Sequence, residues 1–359
     1  MRKAMLSLFA LTLLSGAVAG CATTPSSESS SLGSSSSSST VAFDASKTIK
    51  PYTRDTTSGT RDGFFTKIGI EAAKTNDSLI STTVGTTISN GDMMTKIAAD
   101  QFGIGYASLA DLDGSVTTLK VNGVAATEAT VKDGTYALQR DFNYVIPAAE
   151  DRSELKSALI ASYIGYMNSA EGIAIIQDDG GILDDDALNN AEDWSDIIAT
   201  ASWATVLGLT AAGSSNASVK EETIHFVGST SVEKISTALS SAWSAAFGVN
   251  APAVDHNHTG SGDAAKKLAD GSGDIGFASR AFTAAETDAH TDWTFAKICT
   301  DAISVIVNND NNFIDDITIQ QLRDIYVNPD KIADSATSQD AFGEDYSSES
   351  PITIWNQLA

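Results

Sequence analysis

The sequence predicts an α/β fold built as two lobes, and three observations lead there. Short runs rich in β-branched and aromatic residues alternate with stretches of helical apolar spacing, the pattern of strands covered by helices. The alternation falls into two blocks, at about 43–183 and 223–359, with an odd middle at 184–222. Three turns rich in Gly, Ser and Thr each stand between a strand and a helix. Strand-helix alternation of this kind also predicts largely parallel sheets.

Before the first block comes an export signal. Arg2 and Lys3 form its positive start, 4–14 is an apolar run too short to span a bilayer, and Val18-Ala19-Gly20 lead into Cys21. Cys21 therefore sits where cleavage is expected, and this arrangement resembles the lipobox of bacterial lipoproteins, in which the Cys becomes the lipid-modified first residue. An ordinary secretory signal with an incidental Cys is the alternative. Residues 25–40 are almost all Ser, with no apolar surface to bury, so 21–42 reads as a lipidated Cys and a flexible tether after a signal at 1–20.

In the first block, 47–50 reads as a short strand, followed by a Gly/Ser/Thr turn and a helical pattern through Phe64, Phe65, Ile68 and Ile70. Residues 104–107 and 116–121 look like strands. A helix is expected over 152–168, where Leu155, Leu159, Tyr163 and Tyr166 recur at helical spacing. The middle segment opens with Asp184-Asp185-Asp186, carries a helical stretch over 194–209, and ends in Gly213-Ser214-Ser215-Asn216; it reads as an interlobe connector. In the second block, 223–227 is a strand, 228–231 a turn and 232–247 a helix. Residues 274–278 and 302–307 read as buried strands, 317–326 as a helix with Thr318 near its start, and 351–355 as a final strand.

Composition narrows the function. The chain has 359 residues, 42% of them apolar, enough for a sizeable core. Lys and Arg number 22 against 46 Asp and Glu, a formal charge of −24, so nucleic acid and anionic lipid surfaces are poor partners. One small anion is still allowed, because backbone amides and a single Arg can hold it whatever the global field. The two cysteines, Cys21 and Cys299, exclude a disulfide framework and a Cys-rich zinc site. Cys299 reads as a small buried hydrophobe.

The three turns are 54–60 (RDTTSGT), 228–231 (GSTS) and 259–262 (TGSG). A helix N-terminus presents free N–H groups and a partial positive charge to an oxyanion; Ser and Thr add hydroxyl donors and Gly permits close approach. Any one turn could be a plain N-cap. Three in one chain, one of them headed by Arg54, point to an anion site. The planar guanidinium fork matches a tetrahedral oxyanion with two parallel hydrogen bonds. A surface ion pair with Asp55 or Asp62 is the competing role for Arg54.

These segments carry a resemblance. Residues 54–65 (RDTTSGTRDGFF) are similar to the anion turn of the phosphate-binding proteins of phosphate ABC transporters. So are 89–94 (SNGDMM), 102–106 (FGIGY), 121–124 (VNGV), 133–140 (DGTYALQR), GSTSV at 228–232, GSG at 260–262, DIGFASR at 274–280, DAI at 301–303 and QLRDIY at 321–326. The likeness covers most of 45–183 and 223–356. It implies a type II periplasmic-binding-protein-like fold with the ligand cleft between lobes, one lobe at 43–183 and the other at 223–359. In that family the GSTSV half precedes the SGTR half; here the order is reversed, so the chain looks circularly permuted, with 184–222 joining the family's usual ends. A shuffled or truncated gene product is the alternative.

Carried over position by position, the resemblance implies phosphate ligands at Arg54, Ser58, Gly59, Thr60, Thr230, Ser231, Ser261 and Arg280. Some relatives place an Asp, as acceptor of the phosphate proton, where this chain has Arg280, which leaves Asp55 as a possible substitute. The resemblance implies a phosphate-capturing lipoprotein, monomeric, on the extracytoplasmic face of the cell membrane. It would deliver its ion to a membrane permease driven by a separate ATPase, without metal or organic cofactor and without catalysis. A phosphate-sensing or adhesive lipoprotein on the same scaffold is the nearest alternative, and a phosphatase using Ser58 a more distant one. Two His in Asp255-His256-Asn257-His258 read as a solvated loop rather than a metal site, and 184–186 and 310–316 as solvated acidic loops rather than calcium loops.

Overall fold

The computed structural model describes residues 42–149, 152–332 and 351–359; the signal, Cys21 and the Ser-rich tether lie outside the described residues. Its first part runs β1 (Lys50–Arg54), α1 (Gly59–Lys67), β2 (Gly85–Thr87), α2 (Asn90–Ala99), β3 (Gly103–Ser108), β4 (Thr117–Thr118), β5 (Lys120–Val121), α3 (Glu128–Lys132) and β6 (Gln139–Ile146). The middle is α4 (Glu154–Met167), α5 (Ala170–Asp178), α6 (Asp185–Asn190), α7 (Trp194–Thr200), α8 (Ser202–Leu207), β7 (Leu209–Thr210) and β8 (Gly213–Ser214). The remainder is β9 (Thr223–Gly228), α9 (Glu233–Ala245), β10 (Ala253–Asn257), α10 (Ala264–Ala269), β11 (Ile275–Ala278), α11 (Ala284–Ala289), β12 (Thr294–Val307), β13 (Asp316–Ile317), α12 (Ile319–Tyr326) and α13 (Pro329–Ile332).

Helix starts follow side-chain chemistry. Ser58, Ser89, Ser153 and Ser169 each accept hydrogen bonds from first-turn amides, and Thr318 with Gln321 forms a reciprocal capping box at the head of α12. The main sheet has the order β10-β9-β11-β6-β12-β3-β1-β2, with β4 also on β12. It is mixed, not largely parallel. Two parallel sets, β2-β1-β3 and β10-β9-β11, are joined through β6 and β12, which run antiparallel to each other and to their outer neighbours.

Two large hydrophobic cores result, with two smaller clusters around Met93 and Val227 beside them. One gathers Phe64, Tyr106, Leu138, Val305, Tyr326 and Trp355. The other gathers Phe142, Tyr163, Trp194, Phe226, Trp243 and Cys299. The chain crosses between them along β6 (Leu138 to Phe142) and along β12 (Cys299 to Ala302), so each of the two sequence blocks feeds both cores. The lobe bounds 43–183 and 223–359 therefore do not follow the packing: 142–176 packs with the second core, and 302–327 with the first. The stretch 184–222 is likewise more than a connector, because Ile198, Leu207 and Val219 are buried in the second core.

At the other end of the described chain, 351–355 is not a full strand. Ile354 makes one antiparallel bridge to Thr48, and a single 3-10 turn, Trp355–Leu358, follows. Thr353 O accepts from Ile49 N at 2.8 Å, and Ala45 O accepts from Asn356 N at 2.8 Å, so both ends of the folded body lie side by side. Among the described residues no single helix is long and apolar enough to cross a membrane.

Cys299 is 0% exposed, and burial pushes its thiol well above the ordinary value, with the nearby Asp301 adding to it. In a Cys21→Ala chain, a disulfide exchange reagent should therefore label Cys299 at least ~100-fold more slowly in buffer than in denaturant. Full labelling of the native protein within the mixing time would contradict its burial.

Candidate functional site

Strand β1 delivers Arg54 to its end with 0% exposure. The guanidinium donates from Nη1 to Asn90 Oδ1 at 2.8 Å, and from Nη2 to the Ile88 carbonyl at 3.0 Å and Thr230 Oγ1 at 2.9 Å. The Asp55 carboxylate is 3.8 Å away, and Arg54 Nε has no partner. Burial lowers the Arg54 pKa from its usual value, but a guanidinium starts so high that it stays charged. The result is a buried cation whose hydrogen bonds all go to neutral groups, with Asp55 as a charged neighbour at ion-pair distance, while Asp62 is engaged elsewhere. Arg61, also 0% exposed, props this strand end, donating from Nη1 to Arg54 O at 2.9 Å and from Nη2 to Ala73 O at 2.7 Å and Asp77 at 2.6 Å.

Around Arg54 the three turns meet. Ser58 caps α1, its Oγ accepting from Thr60 N and Arg61 N at 3.2 and 3.4 Å, so the ordinary N-cap role is realised while its own hydroxyl proton remains to donate. Thr60 Oγ1 lies 2.6 Å from Ser231 Oγ, which places the head of α1 against the turn that leads into α9. Gly59 is needed for close approach: a Cβ there would stand 2.1 Å from Ser261 Oγ and 2.5 Å from Ser279 Oγ. Ser261 Oγ accepts from Ser279 N at 2.9 Å, and Ser229 Oγ donates to Ser279 Oγ at 2.9 Å. Ser58, Thr60, Ser229, Ser231, Ser261 and Ser279 are all 2% exposed or less.

The structure thus brings together Arg54, Ser58, Gly59, Thr60, Thr230, Ser231 and Ser261. It does not bring in Arg280. That guanidinium pairs with Asp62, Nε lying 2.8 Å from the carboxylate without hydrogen-bond alignment, and donates to Glu286 from Nη1 and Nη2 at 2.8 and 2.9 Å, because α1 and α11 both present carboxylates to it. Asp55 Oδ1 takes the Thr57 amide at 3.0 Å and the Thr57 hydroxyl, shaping the turn, while its Oδ2 stands 3.8 Å from the Arg54 guanidinium.

Sequence reasoning assigned no role to Asn90, Asp111 or Ser279. Asn90 is 3% exposed and links three groups: it accepts from Arg54, and its Nδ2 donates to Asp111 Oδ2 at 2.6 Å and to Ser231 Oγ at 3.2 Å. The signal was present, since Ser89-Asn90 heads a fourth strand-turn-helix unit, β2 to α2, with Ser89 as N-cap. Asp111 titrates at about 6, raised first by burial and further by Asp301, while Asn90 and Arg140 oppose.

The 255–258 stretch is not a solvated loop. Asp255, His256 and Asn257 belong to β10, paired in parallel with β9, and the His256 ring stacks on Phe226 with centroids 4.9 Å apart. His258 Nδ1 lies 3.0 Å from Ser229 O and its Nε2 3.1 Å from His256 Nδ1; burial pulls His258 down to about 4. Among the described residues no group of three or more His, Cys, Asp or Glu is placed to hold a metal ion.

Comparison with known proteins bears on the family and the fold. The model of the PBP superfamily domain matches residues 200–357. The chain is 30% identical over 328 residues to the phosphate-binding protein PstS 2 of Streptococcus agalactiae serotype V, covering 90% of this chain and 94% of the relative. It is 30% identical over 287 residues to PstS 2 of Streptococcus pneumoniae serotype 4, covering 79% and 85%. The crystal structure of a phosphate-binding protein of a phosphate ABC transporter from S. pneumoniae TIGR4 superposes with a TM-score of 0.57 at 24% identity, covering 87% of this chain and 100% of that one; it supports the fold.

The folded pKa of Asp111, about 6, lies above the ordinary 3.8, so folding binds its proton more tightly than the unfolded chain does. Its ionisation then costs nothing below about pH 4 and the full amount, at most about 3 kcal/mol, above pH 6. Urea unfolding without ligand should find Asp111→Asn more stable than the parent at pH 7.5 and equal to it at pH 4. A loss of stability at pH 7.5 would contradict the assignment.

Proposed function

We infer that this chain, which belongs to the PstS family of phosphate-binding proteins, captures inorganic phosphate and delivers it to an ABC transporter. The family is one of substrate-binding proteins, not enzymes. The observation that carries the reading is Arg54: a cation buried to 0% exposure whose guanidinium donates only to neutral groups, at the meeting of helix-heading turns from both cores. Burying such a charge is costly, Asp55 at 3.8 Å without a hydrogen bond offsets part of that cost, and a bound anion would offset more.

Capture needs no chemistry on the ion. Arg54 and the hydroxyls of Ser58, Thr60, Thr230, Ser231 and Ser261 would replace its hydration shell, with the α1 and α9 N-termini adding amides. Thr60 and Ser231 stand on different cores, as do Arg54 and Thr230, and now bond each other directly. An entering anion would take over those bonds, so the lobes would close on the ion and part to release it. We further propose a monomer tethered through a lipid on Cys21 at the extracytoplasmic face, handing phosphate to a permease that a separate ATPase drives.

The segment order is proposed to be a circular permutation of the family's. Support comes from the adjacency of the two ends of the folded body, where Ala45 and Asn356 are hydrogen-bonded at 2.8 Å; PstS 2 of S. agalactiae, matched over 90% of this chain and 94% of its own length, would share the rearranged order.

Isothermal titration of the full chain should show phosphate binding, with sulfate and arsenate as comparisons and no turnover of a phosphate ester. Arg54→Ala should weaken phosphate binding by more than roughly tenfold, since a charge-assisted buried contact contributes about 1.5–3 kcal/mol. Arg54→Lys, which keeps the charge but loses the fork, should lose less. Unchanged affinity in a folded Arg54→Ala chain would remove Arg54 from the site. For the segment order, residue 359 can be joined to residue 42 by a short Gly/Ser linker and the chain reopened between Ala211 and Ala212, both exposed. This relinked protein should fold and bind phosphate within about threefold of the parent; failure to fold would count against permutation.

A further inference from the structure

Arg280 and Asp62 face each other across the two cores, one residue beyond Ser279 on one side and two beyond Thr60 on the other. Arg280 follows β11, whose Phe277 is packed in the second core; Asp62 stands on the first turn of α1, whose Phe64 and Phe65 are packed in the first. Their side chains are 13% and 17% exposed, and Nε lies 2.8 Å from Asp62 Oδ2. Both line a cavity of about 1180 Å³, so each could relax toward solvent if the lobes parted.

Glu286 holds Arg280 from its own side. Its two carboxylate oxygens take Nη1 and Nη2, while Glu286 Oε2 also accepts from the Thr283 amide and hydroxyl in the capping box of α11. Ala281 O takes a further Nη1 proton at 2.9 Å. The fork is therefore fixed within one lobe, and its Nε edge lies in ion-pair contact with Asp62 of the other, close in distance but not aligned as a hydrogen bond. A guanidinium already oriented loses little freedom when it pairs, which favours the contact over an ordinary surface ion pair.

We propose that Asp62 and Arg280 form an interlobe latch that sets how long the closed form lasts, with Glu286 as the residue that positions Arg280. The proposal rests on the reading above that lobe closure buries the anion. The latch does not touch the ion. It acts through its neighbours, drawing the α1 head that carries Thr60 toward the Ser279 strand end.

The test is the dissociation rate of phosphate from the full chain, followed by stopped-flow competition. Asp62→Asn, which keeps the shape of the side chain, should speed dissociation about 3- to 10-fold with association changed less than twofold. Arg280→Gln should do the same. The double variant should be no faster than the faster single one, because both remove one interaction. Arg280→Lys should restore part of the slow rate, and Glu286→Gln should have a smaller effect than Asp62→Asn. Dissociation unchanged in a folded Asp62→Asn chain would overturn the latch, as would multiplicative effects in the double variant. If the unaltered chain binds no phosphate at all, the functional reading fails instead, so the two failures are distinguishable.

Discussion

The groups that reach the Arg54 guanidinium within hydrogen-bonding distance are a carboxamide, a backbone carbonyl and a hydroxyl, and none carries charge. Removing a cation from water into such surroundings is expensive, and the neighbouring structure is arranged around tolerating it. Arg61 secures the backbone of the same residue from the far side. Asn90 holds one guanidinium nitrogen and, through its amide, Ser231 of the other core. The short turns heading α1 and α9 aim amides and hydroxyls at one place, where the helix dipoles favour negative charge.

What permits donors from two cores to meet is the pair of long strands β6 and β12. They lie antiparallel, and both cross from one core to the other. At the crossing Arg140 stands opposite Asp301 in the register, and its Nε and Nη2 both donate to Asp301 Oδ2 at 3.1 and 2.9 Å, with the two side chains 4% and 0% exposed. A buried pair of this kind adds little net stability, but slipping the register by one residue would strand both charges in the core. The crossing is thereby pinned, and beside it Ile182 of the first core and Leu183 of the second carry the chain across once more.

The local grammar of strand, turn and helix was legible in the residues. The 223–247 stretch was expected as strand, turn and helix and is β9, a turn and α9; the 317–326 helix begins at its Thr318 cap. Hydroxyl-rich turns, one headed by an Arg, pointed to an anion site; the eight expected residues came from the family resemblance, and the structure places seven of them together. Arg280 was misplaced because nothing in its local sequence shows that Asp62, more than two hundred positions earlier, would meet it. Asn90 escaped notice for the same reason: its carboxamide matters through Arg54, Asp111 and Ser231, none of which is a neighbour in the chain. The His256-His258 pair reads as polar loop until Phe226 and Ser229 are placed beside it.

The amino-acid sequence by itself determined the element types, most helix starts and the anion-seeking character of the turns, since periodicity, capping and hydroxyl content act over a few residues. Only the tertiary structure decided which segments share a core, why the blocks at 43–183 and 223–359 interleave, and which polar groups face Arg54. Those outcomes depend on the pairing of β6 with β12 and on contacts between residues a hundred or more positions apart, where packing and desolvation, summed over the whole molecule, override what any short stretch prefers.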